Sequence, residues 1–190
     1  MNNKTNAAIS RRGLLGAFAG ISTIVAAPAY SNVFGFLKGA GDVRRLKMYS
    51  QRTAEMIDTI YWIDGEYIPE ALGEINWFMR DWRTKETINY DVRNIDIMAA
   101  SHRLLETTEP YLMLSGYRSA KTNAMLRRNS RGVAKKSFHV KGMAADLKLR
   151  SRTVNQMASA GLACKSGGVG RYRRSNFVHM DCGPVRSWKG

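Results

Sequence analysis

The sequence predicts an α+β domain, a small and mainly antiparallel sheet flanked by helices. Three observations predict it. Runs with two-residue alternation lie beside runs with helical spacing, and a tight Asp-Gly turn joins two of the strand-like runs. The order of strands and helices also lacks the βαβ repeat that builds a doubly wound sheet. About 160 residues remain after an N-terminal leader, which suits one domain with one core. No internal repeat, heptad series or low-complexity tract interrupts them.

The elements follow in chain order. Ser10-Arg-Arg-Gly-Leu-Leu15 carries the twin arginine of a Tat-type export signal. The apolar stretch behind it, Gly13 to Ala27, is diluted by Gly, Ser and Thr and falls short of the roughly 20 apolar residues of a membrane span. Ala27-Pro-Ala29 then offers an A-x-A cleavage site, with no Cys there to anchor a lipid. Residues 1–29 are read as a signal peptide exporting the chain to the periplasm, with membrane contact only if the signal stays uncleaved. Residues 30–45 read as a flexible lead-in and 46–190 as the folded domain. Leu46–Thr53 and Met56–Ile63 have strand character, and Asp64-Gly65 turns the second into Glu66–Ile68. Pro69 starts a helix predicted through Trp82, whose stripe of Ala71, Leu72, Ile75, Phe78 and Met79 faces a core. A second helix spans Val92 to about Thr107. Tyr111–Leu114 is a short strand, and Ser119 caps the helix that follows. Ala144–Leu149 and Phe177–Asp181 complete the strands.

Two of these elements carry chemistry. On Ala144–Leu149, Asp146 and Lys148 share one face and Ala145, Leu147 and Leu149 the other; on Phe177–Asp181, His179 and Asp181 project together while Val178 and Met180 face inward. Gly142 lets the chain turn between His139 and the strand of Asp146. Adjacent strands can therefore bring His139, Asp146 and His179 to one spot. Two imidazoles and one carboxylate leave the fourth tetrahedral position of Zn²⁺ open to water, as in catalytic sites. A structural zinc is more often closed by four Cys or His ligands, and only Cys164 and Cys182 are available. On spacing alone a second reading stands, with His139 in a loop and His179 a hydrogen-bonded core histidine. His102 lies in a helical run without a nearby ligand and reads as structural.

The flanking motifs add to this. Ser115-Gly-Tyr-Arg-Ser119, Asn123-Ala-Met-Leu-Arg127, Ser137-Phe-His-Val-Lys-Gly-Met-Ala-Ala-Asp146, Gly167-Gly-Val-Gly170 and Phe177-Val-His-Met-Asp181 occur in that order. From about Leu46 to Trp188 the chain resembles the zinc peptidases of the D-Ala-D-Ala carboxypeptidase and murein endopeptidase type, in particular the branch once catalogued as a domain of unknown function. The resemblance implies a Hedgehog/D,D-peptidase-like fold, His139, Asp146 and His179 as zinc ligands, and Arg118 as an active-site arginine. It implies hydrolysis of peptide bonds in peptidoglycan by metal-activated water, as a cross-link endopeptidase or a carboxypeptidase. One position departs from the pattern. Relatives with Glu three residues before the last ligand use it as general base, whereas this chain has Asn176. Asp181 is then the nearest carboxylate in sequence, either as base or as the acceptor that fixes the tautomer of a ligand histidine. The departure also keeps open a non-catalytic, metal-containing peptidoglycan-binding module.

Arg118 can bind a substrate carboxylate or a tetrahedral oxyanion through paired N–H groups. Tyr117 either walls the substrate pocket beside it or packs as an ordinary aromatic, and Asn123 either caps a turn or touches substrate. The formal net charge is +15. Basic residues gather at Arg127, Arg128, Arg131, Lys135, Lys136 and Lys141, and again at Arg171, Arg173 and Arg174. Both clusters flank the proposed ligands, and such a field concentrates polyanions. Stem peptides and cross-links of peptidoglycan carry free carboxylates and are the expected partners. An exported chain has no call for nucleic acid, and a monomer is expected. Cys164 and Cys182 are either one disulfide of an oxidising compartment or two free thiols.

Overall fold

The computed structural model describes residues 41–130 and 132–190; the twin-arginine leader, most of the lead-in and Arg131 lie outside them. The described strands are β1 (Val43–Ser50), β2 (Glu55–Ile63), β3 (Glu66–Tyr67), β4 (Tyr111–Ser115), β5 (Ala144–Lys148), β6 (Gly168–Tyr172), β7 (Phe177–Asp181) and β8 (Arg186–Lys189). They form one sheet in the order β3-β2-β1-β4-β5-β7-β6-β8. Pairing is antiparallel except for β1 with β4 and β6 with β8. The fold is α+β, as the sequence predicts, but the sheet has eight strands and is not small.

The β2–β3 hairpin turns on Asp64 (φ 48°) and Gly65 (φ 97°), the left-handed pair that two-residue hairpins favour. β1 starts at Val43, so Val43, Arg44 and Arg45 belong to the sheet and not to a lead-in. The cause is Arg44, which lies over the Trp62 ring at 4.2 Å and pairs with the buried Asp96 at 2.9 Å.

The helices are α1 (Pro69–Phe78), α2 (Val92–Leu104), α3 (Ala120–Asn129) and α4 (Val154–Ala163). α1 ends four residues before the predicted Trp82. Met79 caps it by donating to the Ile75 carbonyl, and Lys85, at φ 60°, then closes a loop in which Asp81 and Glu86 exchange a main-chain bond. Met79 fills the core from this loop, so its apolar spacing continues past the end of the helix. Ser119 caps α3 as expected, accepting the Thr122 amide at 3.2 Å. α4, β6 and β8 have no counterpart in the sequence reading, which took Gly167–Gly170 only as a motif. α4 nonetheless opens with a capping box between Thr153 and Gln156.

α2 and α4 pack against each other and against β6, β7 and β1, while α1 covers β2. Met48, Tyr61, Ile75, Met98, Leu147, Val178 and Met180 are among the fully buried side chains between them. Each large apolar side chain so buried contributes about 1.5–3 kcal/mol. His102 is structural: its Nε2 meets the Glu109 carbonyl at 2.7 Å and its ring lies edge-on to Tyr111. Among the described residues no helix is long and apolar enough to cross a membrane.

Candidate active site

Register brings the site together. Asp146 of β5 sits directly opposite His179 of β7, and His179 is opposite Gly170 of β6 on its other side. His139 arrives on a short 3-10 turn, Phe138–Lys141, that Ser137 caps by accepting the His139 amide. Gly142 ends the turn at φ 65°, a left-handed conformation that suits glycine. From there the chain enters β5.

Three atoms converge. Asp146 Oδ1 lies 3.2 Å from His139 Nε2 and 2.9 Å from His179 Nδ1, and the two ring nitrogens are 3.3 Å apart. The opposite nitrogens are engaged outward: His139 Nδ1 with the Gly116 carbonyl at 2.7 Å and His179 Nε2 with Asp181 Oδ2 at 3.0 Å. Those partners are acceptors, so they draw the ring protons outward and leave the inner nitrogens bare. Two lone pairs and an anionic oxygen then face one another, which is repulsive unless a cation lies between them. The donor set therefore fits a metal ion, and these are the described residues able to hold one.

Charge is tightly held around this cluster. Burial works against the Asp146 carboxylate, but the two imidazoles outweigh it and keep its pKa well below the usual range. Burial lowers the pKa of His139, with Asp146 opposing. Burial would lower that of His179 too, but its bonds to Asp146 and Asp181 win and raise it. Arg118 donates from Nη2 to Asp146 Oδ2 and from Nε to Ser115 Oγ, while its amide donates to the His139 carbonyl. It thus touches the outer oxygen of Asp146 while facing the cavity.

Asp181 is fully buried. Its Oδ1 accepts from the amides of Gly168 (3.2 Å) and Gly183 (2.9 Å) and from Arg186 Nη1 (3.0 Å). Its Oδ2 accepts from Arg186 Nη2 (2.7 Å) and His179. Burial raises its pKa, and the bonds to His179 and Arg186 more than reverse that, holding it well below the ordinary value. The cluster forms the floor of a cavity of about 530 Å³ walled by Arg118, Lys136, Phe138, Tyr172, Phe177 and Trp188, among others. Asp146 is the sole carboxylate among its described lining residues, and Asp181 does not reach it.

Other predicted residues lie elsewhere. Tyr117 is outside this cavity; its amide donates to the Met79 carbonyl and its side chain packs on the core beside Trp82 and Arg83, the ordinary-packing alternative. Asn123 is buried and donates to the Ala134 carbonyl, holding the loop after α3. Asn176 has φ 53° in the β6–β7 turn, a left-handed position that Asn tolerates better than Glu, and does not line the cavity. Cys164 and Cys182 are both free thiols, directed at the Ala160 and Met143 carbonyls, so no disulfide joins them. Burial pushes their pKa values up to about 11 and about 12.

Sequence reasoning missed Arg186 and Trp188, both on β8. The Trp188 ring lies 5.3 Å from that of His179, and its indole N–H donates to the Tyr172 hydroxyl. Their two-residue spacing, which puts them on one face of a strand, was the available signal.

A sheet that presents two histidines and an aspartate beside a guanidinium, at the base of a cationic cavity, defines the class as a peptidase of the α+β type anticipated above. A family profile described as "Peptidoglycan L,D-endopeptidase MepK" matches residues 38–188, and the chain belongs to that family. The peptidoglycan L,D-endopeptidase MepK of Escherichia coli K12 is 41% identical over 145 residues, covering 76% of this chain and 80% of the relative. The same figures hold for the Shigella flexneri protein of that name. The probable peptidoglycan L,D-endopeptidase MepK of Haemophilus influenzae is 36% identical over 148 residues, covering 77% and 80%. The chain is a peptidoglycan peptidase, and the non-catalytic binding module is set aside.

Proposed function

We propose that this chain is a zinc-dependent L,D-endopeptidase that opens peptide cross-links of peptidoglycan, acting as a monomer in the periplasm after export by the twin-arginine route. One observation carries the reading: both histidines are pinned from outside, so that their bare nitrogens and Asp146 Oδ1 meet at the cavity floor. His139, Asp146 and His179 would hold the zinc. When bound there, Zn²⁺ supplies Lewis acidity toward the scissile carbonyl and brings the pKa of a bound water to about 7.

The remaining roles belong to the chain itself. Arg118, anchored to Ser115 and Asp146, presents a fixed positive charge to the cavity for a substrate carboxylate or the developing oxyanion. Lys136 adds to the field that attracts acidic stem peptides. Asp181 orients His179 and is not the proton acceptor. The support is its burial, its five hydrogen bonds and its absence from the cavity lining. Tyr117 makes no substrate contact in this reading. The L,D preference rests on the names of the relatives.

Digestion of purified sacculi, with muropeptides identified by mass spectrometry, tests the proposal. Fragments from L,D cross-links should appear, vanish with a chelator, return on adding zinc, and be absent with His179→Ala. Cleavage confined to D,D cross-links, or indifferent to chelation, would refute it.

A further inference from the structure

We infer that Arg186 is a positioning residue of the metal site: it clamps Asp181 in the orientation that keeps His179 Nδ1 turned toward His139 and Asp146. The inference rests on the metal-site reading above and adds a residue to it. Arg186 Nη1 and Nη2 each donate to a different oxygen of Asp181, an end-on bidentate pair that fixes the plane of the carboxylate. Within that plane Oδ2 is left aimed at His179 Nε2. Rotation of Asp181 would break both guanidinium bonds together with those from the Gly168 and Gly183 amides.

The guanidinium is itself braced. It lies over the rings of Phe138 (5.2 Å) and Trp188 (4.9 Å), and Nη1 also donates to the Pro184 carbonyl at 2.9 Å. Three of its five N–H groups are engaged by Asp181 and Pro184, and aromatic rings flank it, so the carboxylate is its principal partner although it lines the cavity.

The Gly167-Gly-Val-Gly170 motif makes room for this clamp. β8 runs parallel to β6 with Arg186 opposite Gly168 and Trp188 opposite Gly170. A Cβ on Gly168 would collide with Arg186 Nη1 and lie 2.6 Å from Asp181 Oδ2. One on Gly170 would lie 2.6 Å from the Trp188 ring. Both glycines are thus needed for the arginine and its aromatic bracket to reach the carboxylate.

The test is zinc titration of metal-free wild type, Arg186→Ala and Arg186→Lys against a chromophoric chelator, alongside steady-state kinetics at saturating zinc. Arg186→Ala should bind zinc about 10–100-fold more weakly, the usual loss when a partner of a ligand histidine is disturbed. Arg186→Lys, which cannot form the bidentate pair, should fall between the two. Millimolar guanidinium should restore part of the affinity of Arg186→Ala and none of that of His179→Ala. KM at saturating zinc should stay near wild type. Unchanged zinc affinity in Arg186→Ala, or in Arg186→Lys should the alanine variant fail to fold, would overturn the inference; a raised KM beside unchanged affinity would assign Arg186 to substrate. Failure of the wild type to bind zinc would instead refute the metal-site reading itself.

Discussion

Two regions of this molecule use the same device for different ends. Near one edge of the sheet, buried Asp96 on α2 pairs with Arg44, which lies on Trp62, and accepts the hydroxyls of Tyr61 and Tyr67. Near the other, buried Asp181 on β7 pairs with Arg186, which lies on Trp188, and accepts from His179. Both are carboxylate–arginine pairs backed by an indole. The first network ends on two phenols. The second ends on an imidazole whose other nitrogen faces a cavity. What separates a structural ion pair from a functional one here is the last group in the chain of hydrogen bonds.

Exposure sharpens the contrast, because the Arg44 side chain is 7% exposed and that of Arg186 is 38%. Removing the negative partner should therefore have opposite signatures at the two sites. Asp96→Asn leaves Arg44 buried without a counter-charge, which costs about 3–5 kcal/mol. Urea denaturation should show that loss while zinc stoichiometry stays at wild type. Asp181→Asn leaves a cation that can reach water, so the stability change should be the smaller one. Its main effect should be zinc affinity about 10–100-fold weaker by chelator competition. Reversed outcomes would erase the distinction.

A third carboxylate gives the smallest effect and tests whether any buried aspartate would behave alike. Asp81 accepts the Arg83 and Ser119 amides, joining the loop after α1 to the cap of α3. Burial raises its pKa, but bonds to Thr122 and Ser119 outweigh this and hold it below the ordinary value. A carboxyl depressed by folding stabilises the native state above its unfolded value, about 3.9, and that contribution is lost as pH falls through the native value. The melting-temperature gap between wild type and Asp81→Asn should accordingly be full at neutral pH and narrow below about pH 4. Zinc binding at neutral pH should not change.

Much of the site was legible because strand alternation is short-ranged. Two-residue periodicity alone put His179 with Asp181 and set Asp146 apart from Ala145 and Leu147. What escaped depends on long-range pairing. β8 is four residues, rich in charge, and becomes a strand only by lying parallel to β6. Arg186 and Trp188 reach the cavity through that pairing. The role of Asp181 turned on bonds from Gly168, Gly183 and Arg186, which are properties of three-dimensional packing. α4 was a different omission: Thr153 and Gln156 marked its start in the sequence. The overrun of α1 came from Met79, a core residue whose spacing mimics a helix that has already ended.

The direct pairing of Asp146 with His179 also sets how this site can change by insertion and deletion. Strand side chains alternate, so losing one residue within β7 turns every later side chain to the other face. His179 and Asp181 would then point at α2 and α4, while Val178 or Met180 would meet Asp146 and leave its charge unpaired. The β6–β7 turn around Asn176 carries no such frame and can lengthen without moving either strand. Length variation in this domain should therefore collect in its turns, with β5 and β7 held to a fixed count.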